Sequence, residues 1–519
     1  MSDTARLPRA LLPARLAAQR NQGHDIFNVQ VKPRVLMVDL NNFSSFPTYA
    51  IGLLIAALRN KGHRVQLLSP LAHDVPAIER ERQETIVDHV QRRIHLADWK
   101  PFIGVRDFLR EAHARIRERP HPTVLREVRR ALAVRPDVIL LSAYLQHFST
   151  VREIGRIAQK HGIPVLLGGP MFNIQNVAGA WADLPGLTAI VGAEVDLTLP
   201  DIVQTICDGK GLEDFKGVTL PNGVRTPGAV PLRDLNSTPV PDFTDFPWDR
   251  YPARIIPLMT GRGCQWDKCN FCSDVISVSG RTFRTRSVES VLLEMQEQAR
   301  RHLTTSFLFL DLKLNSYPDM LRGIADGIGR YVRGSEWIGT VHVDQRRDNG
   351  LSRADLMAAA AGGMRRISFG LESGSQRLLD LMEKGTTVEK NRKFIRDSYD
   401  AGLSIRCTMF KGFPGENADD MEKTANFLEE NVSYLDRILF NDFSVHEDTP
   451  IYHALSKNDG TYRDLIIGEA RHQRGRILYR NTSAVDPLYR KAKARALAAV
   501  FAINRRPLRN SARQFDGLM

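Results

Sequence analysis

Gly261-Arg262-Gly263-Cys264-Gln265-Trp266-Asp267-Lys268-Cys269-Asn270-Phe271-Cys272 sets three cysteines within nine residues, directly after the strand-like run 255–260. Thiolates hold iron-sulfur clusters, and three so close in sequence can wrap one face of a four-iron cluster while its fourth iron stays open to a non-protein ligand. A structural zinc knuckle is the alternative. Tetrahedral zinc takes a fourth Cys or His at short spacing, and none follows before His302.

Outward from the cysteines a strand-helix rhythm repeats. Strands are predicted at 255–260, 306–311, 337–343, 366–371, 403–409 and 435–441, with helices at 288–301, 320–331, 352–361, 388–401 and 418–431 between them. Such repeats close into a partial (β/α)6 barrel whose working face is the carboxyl mouth of the strands. Cys264, Asp311, Glu372 and Gly412 each follow a predicted strand.

Upstream, strands at 34–40, 64–69, 138–142, 164–169 and 188–192 alternate with helices at 49–61, 151–161 and 199–207. This pattern predicts a Rossmann-like, doubly wound parallel sheet that binds its ligand beyond the strands' carboxyl ends. The expected fold is therefore α/β, with an N-terminal extension at 1–33, the doubly wound domain at 34–208 and a proline- and glycine-rich linker at 209–254. The barrel occupies 255–442 and a basic, mainly helical segment 443–519. An arginine-rich insertion at about 75–134 reads as a solvated helical excursion with Trp99, Phe102 and Phe108 packed on the sheet. The extension, with Arg6, Arg9, Arg15 and Arg20, reads as a frayed basic helix rather than a transit peptide.

Five cysteines, three of them clustered, argue against a disulfide framework and for a reducing, cytoplasmic setting. No apolar run reaches the roughly 20 residues that span a bilayer, so no membrane partner is expected. The net charge of +13 is spread along the chain, and its densest stretch, 471–513, has little aromatic interleaving. That stretch reads as a solvated helix face, and nucleic acid is not an expected partner. A small anionic or polar substrate, or an acidic electron donor, suits the charge. Cys207 and Cys407 read as small buried residues, Cys407 facing the barrel interior in one register.

The cysteine run, Gly370-Leu371-Glu372-Ser373-Gly374-Ser375 and Gly412-Phe413-Pro414-Gly415-Glu416 stand in the order seen in radical S-adenosylmethionine (radical SAM) enzymes, which this half of the chain resembles. That family usually spaces its cysteines by three and then two residues; here the first gap holds four, so the loop must bulge. The resemblance implies a [4Fe-4S] cluster on Cys264, Cys269 and Cys272, and S-adenosylmethionine held by Phe271, Asp311, Glu372, Ser373, Gly412 and Glu416. Asp311 matches the first acid of a pair whose second is Leu312 here, and His342 stands where relatives often carry arginine.

The N-terminal half resembles the cobalamin-binding domain found in one branch of that family. The resemblance implies cobalamin held by Thr48, Tyr49, Ser142, Tyr144, Gly168, Gly169, Gly192 and Glu194. The family's common Gly-Glu-Gly-Glu is Gly192-Ala193-Glu194-Val195 here, and residues 41–49 hold no histidine for cobalt, as is typical of the branch. Together the two resemblances imply a cobalamin-dependent methyltransferase acting on a weakly activated carbon of a biosynthetic intermediate, through a 5′-deoxyadenosyl radical and methylcobalamin. A flavodoxin or ferredoxin would supply electrons. Cyclisation, ring contraction or oxidation with the same cofactors is the runner-up, and an RNA-binding iron-sulfur protein the reading from another class. No residue is assigned as catalytic.

Overall fold

The computed structural model describes residues 32–77, 83–273, 276–277, 280–346, 349–457, 460, 462 and 464–518. Pro33–Met519 forms one compact unit. Residues 1–31, where the basic helix is expected, lie outside the described residues.

The first sheet is built from β1 (Arg34–Asp39), β2 (Arg64–Leu68), β3 (Val138–Ser142), β4 (Val165–Gly168), β5 (Leu187–Val191) and β6 (Val218–Thr219). Its order is β2-β1-β3-β4-β5-β6, parallel except for β6. The accompanying helices are α1 (Tyr49–Asn60), α2 (Ile86–His95), α3 (Lys100–Arg117), α4 (Pro122–Leu132), α5 (Phe148–Lys160), α6 (Gln175–Ala182) and α7 (Leu199–Cys207). Alternation along β1 feeds two cores. Val35 and Met37 pack with α1 and α7, whereas Leu36 and Val38 pack with α4, α5 and α6. The strand order reverses between β1 and β3, which opens a crevice at their carboxyl ends.

The core under α1 continues without a break into the second sheet. Phe243 and Phe246 from the proline-rich connection complete it, both buried. Gly52 makes room for them: a Cβ there would lie 2.3 Å from the Phe243 ring. The end of this connection around Phe243 is thus packed wall rather than loose tether, and truncating Phe243 to Ala would cost about 3–5 kcal/mol.

The second sheet takes β7 (Ile255–Leu258), then carries a small ribbon of β8 (Gly261–Arg262), β9 (Ile276–Ser277), β10 (Gly280–Arg281) and β11 (Arg284–Thr285). It continues through β12 (Ser306–Phe309), β13 (Glu336–Val341), β14 (Met364–Glu372), β15 (Ser404–Lys411) and β16 (Arg437–Asp442). The order β16-β15-β14-β13-β12-β7 is parallel throughout, a partial barrel. Its helices are α8 (Val288–His302), α9 (Pro318–Tyr331), α10 (Arg353–Ala361), α11 (Gln376–Leu381), α12 (Val388–Asp400) and α13 (Ala418–Asn431). Cys407 on β15 is fully buried in the main core.

The C-terminal segment ends in helix but opens with a three-stranded antiparallel sheet that its basic composition conceals. The strands are β17 (Val445–His446), β18 (Leu465–Arg471) and β19 (Arg476–Asn481), with α14 (Pro450–Lys457) and α15 (Pro487–Asn504) around them. The basic stretch is not merely a solvated face: α15 buries Tyr489, Ala496 and Val500 together with Lys493.

The insertion differs from expectation. Trp99, Phe102 and Phe108 do not pack on the sheet but stand 52%, 48% and 71% exposed. The side of α3 that meets the body is polar: Arg110 pairs with Asp442 at 2.5 Å, Glu118 with Arg474 at 2.8 Å and Glu111 with Arg471 at 3.4 Å. Among the described residues no helix is long and apolar enough to cross a membrane.

Candidate functional site

Four hydrogen bonds to one carboxylate begin the cysteine loop. Asp311, just past β12, accepts from the Thr260 and Gly261 amides and the Thr260 hydroxyl at 2.7–3.0 Å. Burial pushes its carboxyl up to about 6 against those bonds. Asp311, expected against S-adenosylmethionine, engages the backbone that launches the loop.

The extra residue of the loop is absorbed at Asp267, whose φ of 44° is left-handed. This turn lays Trp266 flat over Gly385, where a Cβ would come within 1.8 Å of the indole. The Trp266 indole N–H donates to the Glu383 carbonyl at 2.8 Å, and Asn270 reaches the Met382 and Leu381 carbonyls at 3.1 and 2.7 Å. Residues 381–385, at and just past the end of α11, are therefore the platform on which the loop is seated. His342 joins from β13, its Nε2 3.0 Å from the Lys384 carbonyl and its ring stacked on Trp266. Phe271 lies edge-on to Phe410, Phe413 and Phe443, an aromatic nest at the barrel mouth.

Two buried lysines flank the thiols. Lys384 pairs with Glu372 at 3.0 Å. Burial opposes its charge, but Glu372 and the sulfurs of Cys269 and Cys272 hold the ammonium above its ordinary range. Lys313 pairs with Asp344 at 2.5 Å; burial lowers it, with Asp344 and Cys264 pulling the other way. Cys269 is buried and its two partners are half-buried. Neither lysine was legible as a site residue, because nothing in a sequence distinguishes a buried lysine from a solvated one.

Glu372 ends β14 at φ 61°, a strain of about 1–2 kcal/mol for a residue with a side chain. The turn brings its carboxylate back to Lys384. Ser373 bonds Thr424 at 3.0 Å and accepts from the Ser375 amide. Gly412, at φ 82°, donates its amide to Glu416, which also accepts from the Tyr489 hydroxyl at 2.8 Å. Burial lifts the Glu416 carboxyl to about 7. Glu416 thus clamps the Gly412 turn from within.

At the N-terminal sheet the expected residues gather along one carboxyl edge. Thr48 donates to Asp39 at 2.7 Å, and burial holds that acid up at about 6. Tyr49 is buried, Ser142 ends β3, and Tyr144 beyond it is 38% exposed. Gly168 ends β4, and a Cβ on Gly169 or Gly192 would lie 2.1 Å from the carbonyls of Ala143 or Phe172. Asn41 and Asn42 leave buried side-chain oxygens without hydrogen-bond partners at the end of β1.

Glu194 binds across to the cysteine ribbon. Both its oxygens meet Arg284, at 2.7 and 2.8 Å, and Arg262 approaches at 3.2 Å. Burial opposes its charge, but the two arginines keep the carboxyl below the usual range. Asp196 takes Arg262 in a second two-pronged pair at 2.7 Å. Sequence reading assigned no role to Arg262, Arg284 or Asp196; Arg262 stood inside the decisive run, but an arginine beside glycines reads equally well as solvated.

The donor set suits an iron-sulfur cluster: three thiols on one seated loop, with buried ammonium groups to balance an anionic centre. The unpaired Asn41 and Asn42 oxygens at the other edge suit a ligand rich in amide donors.

Residues 258–428 match the model of the Radical SAM superfamily. The chain is 26% identical over 302 residues to an uncharacterised methyltransferase of Pyrococcus horikoshii, covering 57% of this chain and 64% of that protein. It is 26% identical over 255 residues to the anaerobic magnesium-protoporphyrin IX monomethyl ester cyclase of Rubrivivax gelatinosus, covering 47% and 44%. The chain spans less than two thirds of the length of either relative. The fold is similar to that of the radical S-adenosylmethionine methyltransferase TsrM from Kitasatospora setae, solved with cobalamin and a [4Fe-4S] cluster. The TM-score is 0.62 at 17% identity over 90% of this chain and 89% of that one. It is also similar to the cobalamin-dependent S-adenosylmethionine radical enzyme OxsB, with TM-score 0.60 at 16% identity over 86% and 64%. The matched segment runs from the end of β7 into α13 and encloses all three cysteines, so residues 258–428 of the chain are a radical SAM domain.

Proposed function

We propose that this chain is a cobalamin-dependent radical SAM methyltransferase acting on a weakly activated carbon of a small biosynthetic intermediate. The observation that carries the reading is the pairing of Glu194 and Asp196 with Arg284 and Arg262, which turns the carboxyl edge of the first sheet toward the cysteine ribbon of the second. A substrate between the two edges would meet both cofactor sites.

Cys264, Cys269 and Cys272 would hold a [4Fe-4S] cluster, and the 34–208 sheet edge, with Thr48, Ser142, Gly169 and Gly192, would hold cobalamin. When bound, cluster, S-adenosylmethionine and cobalamin together supply a carbon radical and a transferable methyl group. The chain's own groups set the stage. Lys384 and Lys313 balance charge around the thiols, Glu372 offers an acceptor to an ammonium group, and the Gly412 turn gives a backbone edge to an adenosine. The Phe271 nest keeps water from that mouth.

The full chain, reconstituted with iron, sulfide and cobalamin and given a reductant, should convert S-adenosylmethionine to both S-adenosylhomocysteine and 5′-deoxyadenosine. Deoxyadenosine without S-adenosylhomocysteine would overturn methyl transfer and favour cyclisation or oxidation. Absence of both would overturn the radical assignment.

A further inference from the structure

The α2–α3 pair turns its apolar side outward. On α3, Phe102, Val105, Leu109, Ala112 and Ile116 follow one another at alternating steps of three and four residues, which places them on a single helical stripe. Val105, Leu109 and Ile116 are 52%, 51% and 61% exposed, and Phe108 beside them 71%. On α2, Val87, Val90 and Ile94 make the same kind of stripe at 63%, 48% and 50%. Trp99, between the helices, stacks on Phe102 with ring centroids 5.5 Å apart. A continuous apolar surface of this kind on a water-soluble protein marks a contact site.

Charge decides what the contact is. The acids of α3 and its cap are matched by arginines of the body, Glu111 by Arg471, Glu118 by Arg474 and Asp107 by Arg480. Arg93, Arg115, Arg117 and Arg119 on and just beyond these helices are all exposed, whereas among the described residues there Asp88 is the exposed acid and the half-exposed Asp107 and Glu111 are each paired with arginine. Two copies meeting through this face would bring arginine against arginine. An anionic lipid headgroup layer has the opposite sign, and it accepts Trp, Phe and Leu at its acyl boundary. We propose that the α2–α3 pair is a docking face for an anionic membrane surface, on which the protein lies without spanning it.

The test is co-sedimentation of the full chain with vesicles of phosphatidylcholine alone, or with a phosphatidylserine fraction of about a third. Binding to the anionic vesicles and not to the neutral ones is expected, with Trp99 fluorescence quenched by brominated acyl chains and unquenched in a Trp99→Phe control. Replacing Arg115, Arg117 and Arg119 with Gln should lower partition about a hundredfold, near fivefold for each charge. Phe108→Gln with Leu109→Gln should lower it at least about tenfold. All five positions are exposed, so folding is spared, which unchanged far-ultraviolet circular dichroism would verify. Equal binding to neutral vesicles would overturn the anionic assignment. Failure to bind any vesicle would overturn the proposal, and if a dimer is then seen that Phe108→Gln with Leu109→Gln dissociates, the face belongs to a second copy.

Discussion

Glu416→Gln should make the protein more stable in alkali relative to the native chain, and by an amount the structure sets. The carboxyl is 2% exposed, and burial holds it at about 7 against an ordinary 4.5. A raised carboxyl favours the folded state while protonated, so its contribution is full below pH 4.5 and is lost as pH rises through 7. For these two values the charged form weakens folding by about 1.4 kcal/mol at about pH 5.5 and about 3.4 kcal/mol at about pH 8.5. Glutamine keeps an oxygen for the Gly412 amide and the Tyr489 hydroxyl but cannot ionise. Its weaker hydrogen bonds cost about 1 kcal/mol, and that loss is the same at both pH values. The stability of the variant minus that of the native chain should therefore rise by about 2 kcal/mol between the two pH values. Asp39 and Asp311, also lifted by burial, are present in both proteins and cancel. Urea unfolding of the cluster-free chain at the two pH values measures the difference. A difference that stays flat within about 0.5 kcal/mol, or falls, would refute the buried-clamp account of Glu416.

The cysteine loop and its arginine fastenings carry two further expected outcomes. Replacing Cys264, Cys269 or Cys272 singly with Ala should take the reconstituted chain from about four irons and four sulfides to a small fraction of that, and full retention of iron by a variant would remove that thiol from the ligand set. Asp196→Asn should cost about 2–3 kcal/mol in urea unfolding, because Arg262 loses a two-pronged, charge-assisted partner. Combining it with Arg262→Met should recover most of that loss, whereas simple addition of the two effects would deny their coupling.

Strands of both sheets were legible because their apolar runs, such as 35–38, 138–141 and 307–309, are buried whichever way they are turned. The cysteines were legible because few chemistries need three thiols in nine residues. What escaped depends on partners distant in sequence. The period of α3 is plain, but which side faces inward is fixed by Asp442, Arg471 and Arg474, more than 300 residues away. Residues 465–481 hid their sheet because the strands carry Glu469, Arg471, Arg476 and Arg480 among their apolar positions. Asp311, Glu194 and Glu416 drew notice as carboxylates in the loops after strands, and each bonds backbone or arginine of its own chain, a use that spacing alone does not distinguish from holding a ligand.

Arg262 and Arg284 bracket the cysteine loop, and their carboxylate partners both lie in the loop that follows β5 of the other sheet. The loop therefore has half of its fastening in a part of the polypeptide that a gene fragment starting near residue 255 would omit. Such a fragment would strand two guanidinium groups, 18% and 14% exposed in the intact chain, beside the very thiols it was meant to present. The same holds for chimeras: exchanging N-terminal halves between relatives moves residues 194 and 196 but leaves 262 and 284 behind. Positions 194, 196, 262 and 284 are a unit of inheritance, to be transplanted together or not at all.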